Sequence, residues 1–291
     1  MFMNERGKEM KKLLAITLVL IMMLSLVACG GGGSDEEKDR LAQIKERGYI
    51  ELATEPYFPP CEFIDPTKEG DEMYVGADIE LAKYIADKIG VELKIVPLEF
   101  SAVLVGTLDG KYDMAISAIA YSKERAENYN VSDGYWFSEG DELDGTGFIM
   151  RAEDAGKYES IEDLKDAVVI LQSGSLQESI FNEQVSEYKE LKYMASATDC
   201  YLAVSEGMAD VAIGEKGSAT LYADANGGLV VSKFAFETDP MQDAIVVLAE
   251  KEGTDSLMAV INECIAELLV DDTIDGWFEE YRAYARSLGL E

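Results

Sequence analysis

A repeated unit constrains the fold of this chain more than any other feature of its sequence. The pattern acid-Gly-x-x-Asp-x-Ala-Ile-small runs from Asp109 to Ser117 in the first half and from Glu206 to Gly214 in the second. Each copy follows a segment with helical patterning, and a glycine after a helix is a common C-terminal stop. The repeat predicts the same helix–turn–strand element in each half, and therefore two similar lobes. A chance match between common turns is the alternative interpretation.

The segments around the repeat alternate as in an α/β protein. Apolar residues between Asp78 and Ile89 recur at helical spacing, and residues 91–96 alternate as a strand. Ser160 and Asp163 form a capping box, after which the series of strands and helices starts again. This order of elements predicts mainly parallel sheets. We further expect a long loop over 54–76, helices capped by Ser101 and by Thr198, a long helix over Asp255–Leu269 and a smaller one around Trp277–Tyr284.

The N-terminal residues have the pattern of an export signal over residues 1–28. Four basic residues precede an uncharged run over 13–27, which is shorter than the roughly 20 apolar residues that span a bilayer. The run ends in Leu26-Val27-Ala28-Cys29, which resembles the bacterial lipobox and implies cleavage before Cys29 and lipidation of its sulfur. A tether over 29–39 follows. An ordinary export signal with an incidental cysteine is the alternative.

Charge and cysteine content exclude several classes of protein. The chain has 57 acidic and 25 basic residues and a formal net charge of −32, so its surface repels nucleic acid and anionic lipid headgroups. It has no histidine, and Cys61, Cys200 and Cys264 form no CxxC pair. We therefore expect no metal site and no cofactor, with these three cysteines buried as small apolar residues.

Candidate binding residues follow the strand of each repeat, because ligands of open α/β sheets bind beyond the carboxyl ends of the strands. After the first strand come Ser117, Ser122 and Arg125. A guanidinium group can hold a carboxylate through two parallel hydrogen bonds. An ion pair between Arg125 and Glu124 is the alternative. After the second strand comes Glu215, a side chain suited to an ammonium group.

Segments spread along the chain after Tyr49 form a further pattern when they are taken together. They are 57–63 (YFPPCEF), 76–82 (GADIELA), 100–104, 110–125, 131–135, 171–175 (LQSGS) and 210–215. In this order they resemble the family-3 extracellular solute-binding proteins, the polar amino acid receptors of ABC importers. The resemblance implies a two-lobed periplasmic-binding-protein-like fold of type II, with mainly parallel sheets joined by two hinge strands. It places the first lobe at 40–138 plus 243–291 and the second lobe at 139–242.

The resemblance also implies which residues hold the two ends of an amino acid. Arg125 would bind the α-carboxylate of the ligand, with support from Ser122 and Ser175. Independently of the resemblance, residues 173–175 lie between a predicted strand and a predicted helix. Their backbone N–H groups could therefore bind an anion. The ammonium group would lie among residues that follow the two repeat strands, namely Ser117, Ala118, Ala120 and Glu215.

Three further residues match positions around the side chain of the ligand. Phe58 and Phe100 correspond to aromatic rings that enclose this side chain, and Glu55 corresponds to a position near its far end. Plain core packing is the alternative role for the two rings. The chain departs from the family pattern at Ala120, where many relatives carry a hydroxyl group, and at Cys61, which replaces an aromatic residue.

These observations together predict an extracytoplasmic binding lipoprotein and not an enzyme. The protein would be a monomer, anchored to the bacterial cell membrane only by the lipid on Cys29. It would capture an amino acid by hinge closure and deliver it to an ABC permease, and Glu55 favours a cationic or polar neutral ligand. An enzyme of the same fold, of dehydratase or cell-wall lytic type, and a ligand-sensing ectodomain are the alternatives.

Overall fold

A computed structural model describes residues 39–137 and 145–290, apart from the side chains of Pro240 and Asp243. The predicted export signal, Cys29 and all but the last residue of the predicted tether lie outside these residues. Within the described ranges, no helix is both long and apolar enough to cross a membrane.

Fifteen strands are present in the described part of the chain, and most of them are short. In chain order they are β1 (Tyr49–Thr54), β2 (Tyr57–Phe58), β3 (Glu62–Ile64), β4 (Tyr74–Val75), β5 (Glu92–Pro97), β6 (Met114–Ala115), β7 (Tyr129–Val131), β8 (Trp136–Phe137), β9 (Thr146–Arg151), β10 (Val168–Gln172), β11 (Glu190–Met194), β12 (Val211–Glu215), β13 (Leu229–Val231), β14 (Ala244–Ile245) and β15 (Leu248–Glu250).

Nine α-helices accompany these strands within the same ranges. They are α1 (Arg40–Arg47), α2 (Ala77–Ile89), α3 (Phe100–Leu108), α4 (Lys123–Asn128), α5 (Leu176–Gln184), α6 (Ala197–Ser205), α7 (Lys216–Asn226), α8 (Asp255–Val270) and α9 (Thr273–Leu288). Short 3-10 helices cover Gly70–Met73, Ala152–Asp154, Ile161–Asp166 and Pro240–Asp243.

The strands form two five-stranded sheets of the same topology, and each sheet defines a lobe. The first has the order β5-β1-β6-β15-β7 and the second β11-β10-β12-β9-β13. In each sheet the first three strands are parallel and the fourth is reversed. After β7 the chain passes through β8 to the second sheet, and it returns to the first sheet through β14; these two short strands pair with each other. The predicted two-lobed α/β fold, with two connections between the lobes, is therefore confirmed.

The repeated unit occupies equivalent places in the two sheets. The first copy contains the turn from α3 into β6, and the second contains the turn from α6 into β12. The Asp113 carboxylate accepts the backbone N–H of Glu51 at 2.7 Å, and the Asp210 carboxylate accepts that of Val168 at 2.8 Å. Each aspartate thus ties its turn to the neighbouring parallel strand, and the repeat is a structural one.

Each lobe has an apolar core of its own. Ile50, Leu52, Ile79 and Ile261 are among the buried residues of the first. Phe148, Val169, Leu171 and Ile213 pack on one side of the second sheet, and a further cluster that includes Cys200 packs on the other. Cys264 belongs to the core of the first lobe. Both cysteines are buried free thiols in apolar surroundings, as predicted.

Several predicted element boundaries were wrong. The region 54–76 is not one long loop, because β2, β3 and β4 pair into a small antiparallel sheet. Glu99 rather than Ser101 precedes α3, and Ser196 rather than Thr198 caps α6, with its hydroxyl oxygen accepting the Asp199 N–H at 3.0 Å. The last helix extends over Thr273–Leu288, and Gly276 inside it interrupts the helical pattern of the sequence.

Candidate functional site

Arg125 lies at the place where the two lobes meet. It belongs to the first turn of α4, whose N-terminal cap is Ser122, and only 8% of its surface is exposed. Its guanidinium donates to the carbonyl oxygens of Ala120 in the first lobe and, at 3.1 Å, of Gly174 in the second. Burial lowers the pKa of Arg125 to about 10, so the group keeps its charge at neutral pH. In the described part of the chain, no ion pair joins it to Glu124.

Two serines near Arg125 act as helix caps. The hydroxyl oxygen of Ser122 accepts the backbone N–H of Arg125 at 3.1 Å. Ser175 is buried and caps α5, where its hydroxyl accepts the Glu178 N–H at 3.1 Å and donates to the Gln172 carbonyl at 2.8 Å. Both hydroxyl groups therefore fix the local backbone.

The segment after β6 has an unusual backbone. Ala118 has a φ of +45°, a left-handed conformation that residues other than glycine rarely adopt. Its N–H donates to the Asp78 carboxylate at 2.7 Å. The Ser117 hydroxyl accepts the Glu55 N–H at 2.9 Å and donates to Glu62 at 3.2 Å, so it is already engaged inside the first lobe.

Glu215, at the end of β12, caps the helix that follows it. Its two carboxylate oxygens accept the N–H of Gly217 at 2.7 Å and of Ser218 at 2.6 Å. A negative charge at a helix N-terminus is favourable because the unpaired N–H groups of the first turn carry partial positive charge. These bonds hold the carboxylate at the carboxyl end of a strand in the second lobe.

Glu55, just after β1, is a buried acid that faces the second lobe. Its exposed fraction is 3%, and burial raises its pKa to about 8, with a smaller rise from the charge of Asp199. The Gln172 side chain of the second lobe partly offsets this rise in pKa. Among the described residues, nothing hydrogen-bonds to its buried Oε1. Gln172 and Asp199 were not predicted as site residues, although Gln172 ends a strand and could have been found by that rule.

The two predicted aromatic residues lie in different surroundings. Phe100 is buried at the start of α3, and its ring centroid is 5.9 Å from the Arg125 guanidinium carbon. Phe58 is half-buried and packs against the core of the first lobe. Phe100 therefore lies next to Arg125, whereas Phe58 is part of the apolar packing of the first lobe.

Further contacts join the lobes close to these residues. The Thr198 hydroxyl donates to the Tyr57 carbonyl at 3.3 Å. A side-chain carbon added to Gly174 would lie 3.4 Å from atoms of both Leu104 and Ser101. The backbone of the second lobe at Gly174 therefore packs close to α3 of the first lobe. A groove of about 610 Å³ opens next to Ser122, but neither Arg125 nor Glu55 is among its lining residues. The groove thus includes Ser122, whereas Arg125 and Glu55 lie at the contact between the lobes.

Comparison with known proteins gives matches over most of the chain. The L-cystine-binding protein TcyJ of Escherichia coli (strain K12) is 26% identical over 263 residues, which are 90% of this chain and 92% of TcyJ. A crystal structure of the amino acid ABC transporter substrate-binding protein AbpA from Streptococcus pneumoniae Canada MDR_19A, bound to L-arginine, has a TM-score of 0.75 at 27% identity. That match covers 86% of this chain and 99% of AbpA.

An enzyme is also among the relatives. Membrane-bound lytic murein transglycosylase F of Aeromonas salmonicida (strain A449) is 26% identical over 257 residues. The match covers 85% of this chain and 47% of the enzyme, so the chain spans about half of the enzyme's length.

A family model also matches most of the chain. The model described as bacterial extracellular solute-binding proteins, family 3, covers residues 50–283, which include both five-stranded sheets except Tyr49 and every predicted site residue other than Cys29. The relatives that match nearly end to end are amino acid-binding proteins. The chain therefore belongs to the family 3 bacterial extracellular solute-binding proteins.

Proposed function

We propose that this protein is the extracytoplasmic substrate-binding protein of an ABC importer and holds an amino acid between its two lobes. The observation that carries the proposal is the buried Arg125, which reaches a backbone carbonyl of the opposite lobe without a carboxylate partner among the described residues. A buried charge is stable only when it is well paired. The α-carboxylate of a ligand supplies that pairing, and it replaces the weaker bonds to neutral carbonyl groups.

The opposite end of the ligand fits the segments after β6 and β12. The ammonium group binds the Ser117–Ala120 backbone from the first lobe and Glu215 from the second. Because a zwitterion satisfies both ends at once, it favours the arrangement in which the lobes are together. The ligand then shifts the protein from an open to a closed state by rotation about the β8 and β14 connections, with lobes at 40–138 plus 243–291 and at 139–242.

The side-chain end of the site favours a cationic ligand such as L-arginine. Glu55 is buried and has an oxygen with no hydrogen-bond partner in the described structure, and Asp199 adds negative charge from the second lobe. A guanidinium or ammonium group next to Glu55 compensates this burial. The L-arginine in the similar AbpA structure supports this ligand class.

We propose that Cys29 carries a lipid that anchors the protein to the bacterial cell membrane, and that the monomer delivers its ligand to an ABC permease. Two acyl chains hold a protein firmly at a membrane, whereas one chain binds only marginally.

One observation favours an enzyme as the second candidate. Glu55 has a pKa of about 8, so it carries a proton at neutral pH and has the ionisation state of a general acid. The relationship to a lytic transglycosylase makes peptidoglycan the substrate to test. Release of soluble fragments from purified peptidoglycan, lost in Glu55→Gln, would support this candidate over the binding protein.

The proposed function is tested by calorimetric titration with L-arginine and with agmatine, which has the same side chain but no carboxylate. We expect Arg125→Ala to weaken L-arginine binding by at least about a hundredfold, since a buried charged hydrogen-bond pair is worth about 3 kcal/mol or more. It should change agmatine binding little. Arg286→Ala, which removes an exposed arginine of α9, is the control and should leave both affinities unchanged. Equal binding of both ligands by the wild type would overturn the role of Arg125.

A further inference from the structure

A cluster of buried acidic groups lies beneath the Ser117–Ala118 segment. Glu62 of β3 and Asp78 of α2 are both fully buried, and Cys61 is 6% exposed. One carboxylate oxygen of each acid and the Cys61 sulfur all lie within 4.8 Å of one another. The close approach depends on Gly76, where an added side-chain carbon would lie 2.1 Å from the Cys61 carbonyl oxygen. The predicted ligand contacts do not include these three side chains.

The hydrogen bonds of the two acids differ. Asp78 accepts from the Ala118 N–H at 2.7 Å and from the Tyr135 hydroxyl at 2.9 Å, one donor on each oxygen. Asp78 also lies in the first turn of α2, where a negative charge is favourable. Among the described residues, Glu62 accepts one bond, from the Ser117 hydroxyl to Oε1 at 3.2 Å, and no donor reaches its buried Oε2.

Two adjacent carboxylates cannot both be ionised in such a place without a cation. Across the described ranges, no lysine or arginine pairs with either acid. The titratable groups that face them are Glu55, Cys61 and Tyr135, none of which supplies positive charge. A proton on Glu62 Oε2, donated to Asp78, satisfies the unpartnered oxygen and removes the repulsion. Burial and the charge of Asp78 raise the pKa of Glu62 well above its usual range, in agreement with that proton.

We propose that Glu62 and Asp78 form a carboxylic acid–carboxylate pair with one shared proton, and that Asp78 is a positioning residue for the ligand's ammonium group. This inference rests on the proposed function for its ligand. Asp78 holds Ala118 in the left-handed conformation through the Ala118 N–H, and that conformation sets the direction of the carbonyl groups on either side. The protonated Glu62 keeps Asp78 ionised and fixes the Ser117 hydroxyl.

The test compares two amide substitutions in the full-length protein, with L-arginine as the probe. Glu62→Gln should bind it within about threefold of wild type, because an amide N–H replaces the acid O–H as donor to Asp78. Asp78→Asn should weaken the affinity for L-arginine by about tenfold or more, because the single acceptor oxygen of the amide cannot accept hydrogen bonds from two buried donors. Asp133→Asn, at an exposed aspartate, is the matched control and should bind as wild type does. The reverse order of the two effects, or no loss in Asp78→Asn, would overturn the proposal.

A second measurement tests the shared proton directly, and it applies even if Asp78→Asn does not fold or if no amino acid binds. Infrared difference spectra in a Glu55→Gln background should show one protonated carboxyl group at neutral pH that disappears in Glu62→Gln. That band tests the acid pair even if the proposed function fails. Its absence would overturn the pair. A melting temperature raised by Zn²⁺ in wild type but not in Cys61→Ser would also overturn it, because the same atoms would then hold a metal ion.

Discussion

Glu55→Gln is the substitution whose effects follow most directly from the structure. The pKa of Glu55 rises from 4.5 to about 8 because the carboxyl group is buried. Between these two values the folded protein binds more protons than the unfolded chain, so stability falls as the pH rises through this window. The difference of about 3.5 between the pKa values corresponds to about 5 kcal/mol at 1.36 kcal/mol per pKa unit. We expect Glu55→Gln to be more stable than wild type by about 2 to 5 kcal/mol at about pH 9, and by much less at about pH 5.

The same proton should control the affinity for a cationic ligand. A guanidinium group next to Glu55 requires the ionised carboxylate, so L-arginine binding must expel the proton below about pH 8. The affinity should therefore increase by up to about tenfold per pH unit between about pH 6 and pH 8, with release of close to one proton. Glu55→Gln should bind weakly and with little pH dependence.

Calorimetric titrations in buffers of different ionisation enthalpy measure both the affinity and the proton release. Glu92→Gln, at an exposed glutamate in β5, is the control and should keep the wild-type pH dependence. An affinity for L-arginine that is the same at about pH 6 and at about pH 8, without proton release, would refute this account of Glu55.

Two further predictions concern the repeated unit and the caps. Asp113→Asn should lower the free energy of unfolding by about 2 to 4 kcal/mol, because its fully buried carboxylate pairs with two arginines. Asp210 is the equivalent residue of the second lobe, but its side chain is 31% exposed, so Asp210→Asn should lower the free energy of unfolding by less. Equal decreases for the two variants in urea unfolding would contradict this ranking. Ser196→Ala should lower the free energy of unfolding by about 1 kcal/mol, because the N-terminal cap of α6 is lost. Thr198→Ala should change it by only about a few tenths of a kcal/mol. The opposite order would show that Thr198 is the cap.

The sequence was sufficient to predict the elements that depend on local pattern. The glycine turns of the repeat, the apolar face of α2 and the apolar strands each carry their signal within a few neighbouring residues. Caps were less predictable, since Ser196 and Thr198 are chemically similar and only the backbone geometry distinguishes them. The small sheet of β2, β3 and β4 was missed because its strands are two or three residues long and lie among turn residues.

The site was predictable only in part, for a related reason. Arg125 and Glu215 could be found because each follows a strand of the repeat. The contact of Arg125 with Gly174, and that of Glu55 with Gln172, join residues far apart in sequence and depend on how the lobes pack. A single sequence does not contain that information in any local pattern.

The central claim is that an amino acid binds between the lobes, and a thermal-shift screen of the protein from Gly30 onward tests it most directly. The twenty amino acids and common amines are the ligands to compare. A ligand present at 100 times its dissociation constant adds about 2.7 kcal/mol to stability, enough to raise the melting temperature by several degrees. We predict such a rise for one or a few α-amino acids, with cationic ones foremost. A rise with some other solute, and none with any amino acid, would contradict the account.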